Sequence, residues 1–252
     1  MWHGCLDHNV FCNLKHLVVE GCDFLSHVLL PSNVLQVLHG LEELEVRDCD
    51  SLEVVFDVRG MKSKEIPMKQ RTQLKSLTLS CLPNLKHIWN QDPYEIINFE
   101  NLRKVNVSMC QSLSYIFPYS LCQDLQLLEM LEIDSCGVEG VIAMEERSKE
   151  SNFCFPQLNK LILDHLSNLQ SFYPRKHTLE CPSLKTLDVY RCEELKMFSF
   201  NHLDFQQPDP VDENHDMQFK QAMFFIEKVN PINTYLCHVS KYIFLYHKIV
   251  LI

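Results

Sequence analysis

The chain has 252 residues, of which 46% are hydrophobic and 22% charged, a composition that excludes a disordered protein and allows a substantial core. Its formal net charge of −10 argues against DNA or RNA as the main partner, because phosphate binding needs a clustered basic face. No signal peptide is visible at the start, and Lys241, His247 and Lys248 interrupt the most apolar stretch, at 234–252. We therefore predict a cytoplasmic protein without a membrane anchor.

The first residues contain a group of metal-ligand types, His3, Cys5, His8 and Cys12. Zinc accepts such ligands, but their spacing matches no usual zinc motif, so no metal site is predicted. The chain has twelve cysteines and no secretion signal, which indicates free thiols in a reducing compartment.

From residue 14 onward one frame, LxxLxLxx(C/L)xxL, recurs seven times at steps of 26–33 residues, near the length of a leucine-rich repeat. In the second copy, Leu44 and Val46 alternate with charged residues, which predicts a strand with one apolar face. Cys49 then enters the core as a small apolar side chain with a weak donor. No copy can bury its apolar face alone, but stacked copies can, which predicts a solenoid. The copies begin at Leu14, Leu41, Leu74, Leu102, Leu128, Leu158 and Leu184.

A longer period lies beneath this frame. Repeats one to three match repeats four to six at offsets of 88, 87 and 84 residues, which indicates duplication of a three-repeat unit. Pro31 and Pro118 occupy equivalent places, and each precedes a segment that we expect to form a short helix on the convex side. The charged segments 57–71 and 143–152 are interpreted as surface insertions.

The predicted fold class is α/β, a leucine-rich-repeat solenoid with a curved parallel β-sheet on the concave face and irregular loops and short helices on the convex face. Residues 1–200 form this solenoid of about seven repeats. Residues 201–252 are expected to be a non-repeat tail, disordered or derived from a truncated gene model, because no repeat and no polar cap is recognisable there.

Several segments resemble one family closely. "FENLRKVNVSMCQSLSYIF", "FPQLNKLILDHLSNLQSFY", "CPSLKTLDVYRCEELKMF" and "LEIDSCGVEGVIAMEE" look like the C-terminal leucine-rich repeats of plant nucleotide-binding leucine-rich-repeat disease resistance proteins of the coiled-coil class. The resemblance covers about residues 11–200. It implies a role in plant intracellular immunity, with a pathogen effector, a guarded host protein or the receptor's own switch domain as the protein partner.

The sequence departs from the full receptor pattern in one respect. It contains no GxxxxGK[ST] phosphate loop and only six glycines, so nucleotide binding is not carried over and no cofactor is expected. We interpret the chain as a fragment or truncated relative of such a receptor that lacks the nucleotide-binding domain. No catalytic signature is present, so we expect no enzymatic activity. The alternative is a substrate adaptor of a ubiquitin ligase, although the F-box of such adaptors is absent.

A solenoid commonly binds its partner on the concave sheet, through the strand residues that flank the buried pair. These positions carry seven acidic and three basic residues, which favours a partner with a basic patch. Tyr190, Met130 and Ile162 are the candidate anchors, because aromatic and flexible apolar side chains often concentrate binding energy. The predicted contact residues are Glu20, Glu43, Glu45, Arg47, Lys104, Met130, Glu132, Asp134, Ile162, Asp164, Asp188 and Tyr190.

Overall fold

The computed structural model describes residues 13–22, 27–35, 38, 40–59, 70–93, 97–145, 151–175 and 177–195, and the backbone of two short strands in the tail. The remainder of the chain, including His3, Cys5, His8, Cys12 and most of 201–252, lies outside the described residues. The middle parts of both predicted surface insertions, 60–69 and 146–150, also lie outside them.

Each of the seven repeats contributes one five-residue strand, and the seven strands pair in parallel into one continuous sheet. Equivalent residues of neighbouring repeats lie opposite each other, so the register repeats without a shift. The predicted solenoid with a parallel sheet is therefore confirmed. Numbered in chain order with the other strands, these are β1 (His16–Glu20), β3 (Glu43–Arg47), β6 (Ser76–Ser80), β9 (Lys104–Ser108), β11 (Met130–Asp134), β14 (Lys160–Asp164) and β16 (Thr186–Tyr190).

Shorter strands form two further rows along the stack. The second row follows the cysteine slot and comprises β2 (Val28–Leu30), β4 (Val54–Phe56), β7 (His87–Trp89), β10 (Tyr115–Phe117) and β12 (Gly140–Ile142). The third row precedes the next repeat and comprises β5 (Gln70–Arg71), β8 (Ile97–Asn98), β13 (Ser151–Cys154) and β15 (His177–Glu180). In the tail, β17 (Cys237–His238) pairs antiparallel with β16, and β18 (Lys248–Leu251) pairs antiparallel with β15.

Helix is scarce among the described residues. One α-helical turn, α1 (Ser32–Leu35), follows Pro31, and one 3-10 turn, Ser120–Gln123, follows Pro118. Both turns lie where the sequence predicted short helices. The helices implied by the expected α/β class amount to these two turns in the described part of the chain, and short strands occupy much of the rest of each return path.

The strand alternation follows from the apolar frame. In β6, Leu77 and Leu79 are fully buried, whereas Ser76, Thr78 and Ser80 are partly exposed. Because parallel neighbours are in register, each buried leucine lies above the equivalent residue of the repeat before it, and the repeats share one apolar core. The outward residues are thereby collected onto a single face.

Each strand of the seven-stranded sheet, called concave here after its predicted place in the solenoid, is followed by a residue with left-handed backbone conformation. In the first repeat this residue is Gly21, with φ of 60°, but the other six are not glycines and have φ of 49–54°. In the first six repeats, the N–H of the left-handed residue donates to the carbonyl of the last strand residue in the following repeat, as in Met109 to Asp134 at 3.0 Å. This bond continues the ladder between repeats while the chain turns inward. The six non-glycine positions are Asp48, Cys81, Met109, Ser135, His165 and Arg191.

The cysteine slot comes directly after this turn. The thiols of Cys49, Cys110 and Cys136 each donate to the carbonyl oxygen two residues earlier, at 3.2–3.3 Å. Leu82 and Leu166 fill the same slot by apolar contact alone, and both are fully buried. A small side chain with a weak donor therefore suits a slot that faces both the core and the end of the strand.

Candidate protein-binding face

All twelve predicted contact residues lie on the outward face of the concave sheet, in three rows that run across the repeats. Rows one, three and five consist of the first, third and fifth residues of each strand, and neighbouring members are direct register partners. Whether they contact a partner stays a prediction.

At the first two repeats the face carries an exposed ion-pair cluster. Arg47 lies 3.4 Å from Glu20 of the preceding repeat and 3.3 Å from Glu45 of its own strand. Nδ1 of His16 lies 2.9 Å from a carboxylate oxygen of Glu43. Because these side chains are 37–61% exposed, the pairs add little stability, and the acidic groups stay accessible to a partner.

A second charged group lies at repeats five to seven. The Nδ1 atom of His165 is 2.7 Å from Asp164 Oδ1 and 3.8 Å from Asp134 Oδ1, and Arg191 contacts the His165 Nε2 atom at 2.9 Å. The Arg191 guanidinium also lies 5.0 Å from the centre of the Tyr190 ring. Asp134, Asp164 and His165 are spaced closely enough to hold a metal ion, but their contacts with each other and with Arg191 already explain the arrangement.

The three predicted anchors do not form one apolar patch. Met130 lies in row one between two lysines, Ile162 in row three between Glu132 and Asp188, and Tyr190 in row five beside Asp164. Each is only partly exposed. A partner would therefore meet three separate apolar points in a charged surface.

Two large apolar side chains are exposed on this face or beside it. Val18, one of the outward strand positions predicted from the sequence, is 54% exposed in row three. Met109, which the sequence did not place here, is 55% exposed on the row of left-handed residues that borders the sheet. That border row, defined by the residues Gly21, Asp48, Cys81, Met109, Ser135, His165 and Arg191, extends the face by one position in every repeat. The clearest sequence signal for it was Gly21, since Cys, Met, Ser and Arg do not mark a left-handed turn.

Sulfur atoms meet on the border row. The Cys81 thiol lies 3.5 Å from Met109 Sδ, and burial together with a hydrogen bond to Asp48 raises the pKa of Cys81. The thiol therefore stays protonated near neutral pH and is a poor nucleophile. No disulfide links the nine cysteines that lie among the described residues.

No helix in the described part of the chain is long and apolar enough to cross a membrane.

Comparison with known proteins points in one direction. A family model described as plant disease resistance protein RPS2-like, leucine-rich repeats, matches residues 1–137. A probable disease resistance protein of Arabidopsis thaliana is 28% identical over 171 residues, which cover 66% of this chain and 15% of the relative. The chain therefore spans a small part of that relative's length. No solved structure matches the chain.

Proposed function

Since this chain belongs to the RPS2-like leucine-rich-repeat family of plant disease resistance proteins, we propose that it is a protein-binding module of plant defense whose concave face contacts the partner. The binding is proposed to involve no catalysis. The partner is a pathogen effector, a guarded host protein or the switch domain of a longer receptor, and the chain is a part or truncated relative of such a receptor.

One observation carries the proposal. The in-register sheet gathers the outward residues of seven strands onto one surface, and their chemistry changes from repeat to repeat while the buried residues keep the same apolar frame. Row three, for example, runs through Val18, Glu45, Thr78, Asn106 and Glu132. A constant core with a variable face is what a recognition surface requires.

The charge of this surface supports a partner with a basic patch. The seven acidic residues lie in two groups, at repeats one and two and at repeats five to seven, with neutral serines and threonine in β6 between them. Opposite charge accelerates encounter and orients the partner, and this contribution weakens as salt screens it. We therefore expect association to weaken with rising ionic strength.

Two of the described cysteines, Cys181 and Cys192, support a role without catalysis, and the free thiols support a reducing, cytoplasmic setting. Burial raises the pKa of Cys181 to about 12 and that of Cys192 to about 11. Such thiols are not activated for nucleophilic catalysis, and the free state of the cysteines suits a reducing compartment. Neither family comparison favours the ubiquitin-ligase adaptor, and it is not proposed.

The test is proximity labelling in plant leaf tissue with the full chain fused to a biotin ligase. Glu45→Ala and Tyr190→Ala are combined in one variant, because they lie at opposite ends of the concave face. The matched control combines Glu139→Ala and Gln126→Ala, two exposed residues away from this face. We expect at least one protein whose labelling falls about tenfold or more in the concave variant and is unchanged in the control.

Circular dichroism of the purified variants checks that both retain the fold. An identical set of labelled proteins for the wild type and the concave variant would contradict the concave-face assignment. The absence of any protein labelled above a ligase-only background would contradict the binding proposal itself.

A further inference from the structure

Three partly exposed apolar side chains lie in a diagonal line across repeats five to seven. Met130 is in row one of β11, Ile162 in row three of β14 and Tyr190 in row five of β16. Because the three strands pair without a shift of register, each step along this diagonal crosses one strand and advances two residues along it. With strands about 4.8 Å apart and about 3.3 Å per residue, each step measures about 8 Å, and the whole diagonal about 16 Å.

Three carboxylates fill the corner of the sheet on one side of the diagonal. They belong to Glu132, Asp134 and Asp164, which lie in rows three and five of β11 and β14. Their side chains are 30–40% exposed, so a partner can reach them. On the other side of the diagonal, Lys160 and Asp188 carry opposite charges. The diagonal thus has one acidic side and one side without net charge among these outward residues.

Two of the carboxylates keep an oxygen available for a partner. Glu132 contacts the Lys160 ammonium through Oε2 at 3.6 Å, which leaves Oε1 of the same group. Asp134 uses Oδ1 for both of its contacts, the hydroxyl of Ser135 at 2.9 Å and Nδ1 of His165 at 3.8 Å, which leaves Oδ2. Each of these oxygens can accept hydrogen bonds from a lysine or arginine.

The aromatic end of the diagonal is held in position. The Arg191 guanidinium lies 5.0 Å from the centre of the Tyr190 ring, and the centre of the His165 ring lies 5.4 Å from it. Arg191 and His165 also contact each other at 2.9 Å. Tyr190 remains partly exposed, so it can act as an anchor whose position is set before a partner arrives.

The length of the diagonal favours one shape of partner segment. An α-helix with apolar residues at positions i, i+4, i+7 and i+11 presents a stripe about 16 Å long, equal to the diagonal. Its inner stripe residues fall within about 2 Å of the point opposite Ile162. An extended strand presents three residues of one face over only about 13 Å, and a polyproline II segment presents three over about 19 Å.

We propose that repeats five to seven bind an amphipathic helix of the partner protein, whose apolar stripe follows the diagonal and whose basic flank faces Glu132, Asp134 and Asp164. This inference rests on the proposed function, because it names the kind of segment that the concave face receives. The apolar contacts hold the helix, and the carboxylates on one side orient it.

The test is isothermal titration calorimetry of the full chain with designed peptides. The probe is a 16-residue alanine-based peptide with leucine at positions 3, 7, 10 and 14 and lysine at positions 4, 6, 11 and 13, which gives one apolar stripe with basic flanks. One control peptide keeps the lysines and moves the leucines to positions 3, 5, 7 and 9, and a second replaces each lysine of the probe with glutamate. We expect a dissociation constant on the order of 0.1 mM for the probe and binding at least about tenfold weaker for each control.

Variants of the chain locate the site. Met130→Ala and Ile162→Ala should each weaken binding of the probe about fivefold, and Asp134→Asn about threefold. The matched controls are Met144→Ala and Glu139→Gln, exposed residues outside the concave sheet, which should leave binding unchanged. Circular dichroism checks the fold of each variant.

Three results would overturn the proposal. They are no binding of the probe, equal or tighter binding of the peptide with alternating leucines, and equal binding of the glutamate peptide. The labelling experiment is independent of these measurements. A protein whose labelling depends on the concave face, found together with no binding of the probe, would overturn the helix and leave the proposed function in place.

Discussion

At the scale of single residues, position 137 must be glycine, because there is no space for a side chain beside the backbone of Gln111. A Cβ atom at this position would lie 1.9 Å from the carbonyl oxygen of Gln111, and a backbone atom cannot move aside as a side chain can. The reason is local: repeat five reaches its second strand, β12, four residues after Cys136, whereas repeats two to four take five residues from the same slot. The shorter turn presses Gly137 against the preceding repeat.

Gly137→Ala is therefore expected to lower the free energy of unfolding by about 3 kcal/mol, at the upper end of overpacking costs. Gly21→Asn is the matched control. No atom lies within 4 Å of a Cβ added at Gly21, and the six equivalent residues already carry side chains at positive φ. Its cost should stay within about 1 kcal/mol. Urea unfolding of both variants measures the difference, and equal costs would show that the close approach to Gln111 is absent.

His177 is a buried titratable residue in an aromatic cluster. Its ring centre lies 5.7 Å from that of Tyr173 and 6.0 Å from that of Phe153, and its Nε2 atom has no partner. Burial lowers the pKa of His177 below its ordinary value, while a hydrogen bond to the carbonyl of Arg175 opposes the shift. The folded chain thus favours the neutral ring.

The consequence for pH follows from the direction of that shift. The unfolded chain takes up a proton at His177 below about pH 6.5, whereas the folded chain resists it until lower pH. The contribution of His177 to stability is therefore complete above about pH 6.5 and declines as the pH falls from there toward the folded pKa. We expect His177→Phe, measured by urea unfolding between pH 8 and pH 5, to lose less stability than the wild type over this range. If the free energy of unfolding fell equally with pH in both proteins, the buried neutral ring of His177 would not be the cause of the pH dependence.

At the scale of elements, the second row of strands stops between β7 and β10 while the concave sheet continues, and Pro118 removes one of the bonds across this gap. Its equivalents Asp57, Asn90 and Ala143 each donate an N–H to the preceding repeat. Pro118→Ala supplies the missing N–H opposite the end of β7. We expect a change in stability within about 1 kcal/mol, because one hydrogen bond is gained and the restriction that proline places on the unfolded chain is lost. The specific result is a slowly exchanging amide at position 118, measured by hydrogen–deuterium exchange. Exchange at the rate of an exposed loop would mean that the interruption has another cause.

The elements that sequence reasoning predicted and missed differ in their physical origin. The concave strands were predictable because alternation such as Leu44 and Val46 between charged residues reports which face is buried. The second row was not, because segments such as Val54–Phe56 are apolar without alternation. The interruption at Pro118 depends on which carbonyl lies opposite, and that register exists only in the stacked structure.

At the scale of the whole molecule, the stack is one-dimensional, since each repeat packs mainly on its two neighbours. Central strands such as β9 and β11 are paired on both sides, whereas β1 is paired on one side among the described residues. A terminal repeat should therefore open more readily than a central one. We expect amides of 16–20 to exchange faster than those of 104–108, measured by hydrogen–deuterium exchange of the full chain. Uniform exchange across the concave sheet would show that the stack opens as a single unit.

The left-handed border row shows which surface positions of such a chain can change during evolution. Six of its seven positions hold different residue types that are not glycine, although glycine would avoid a conformational cost of about 1 kcal/mol at each. Selection for stability alone would replace these residues with glycine or asparagine, which adopt positive φ at lower cost. The bond between repeats at these positions uses only the main chain, so a mutation there can exchange an acid for a thiol, a thioether or an imidazole without altering the ladder. The border row is thus the part of the chain where new surface chemistry can arise one repeat at a time, with the scaffold unchanged.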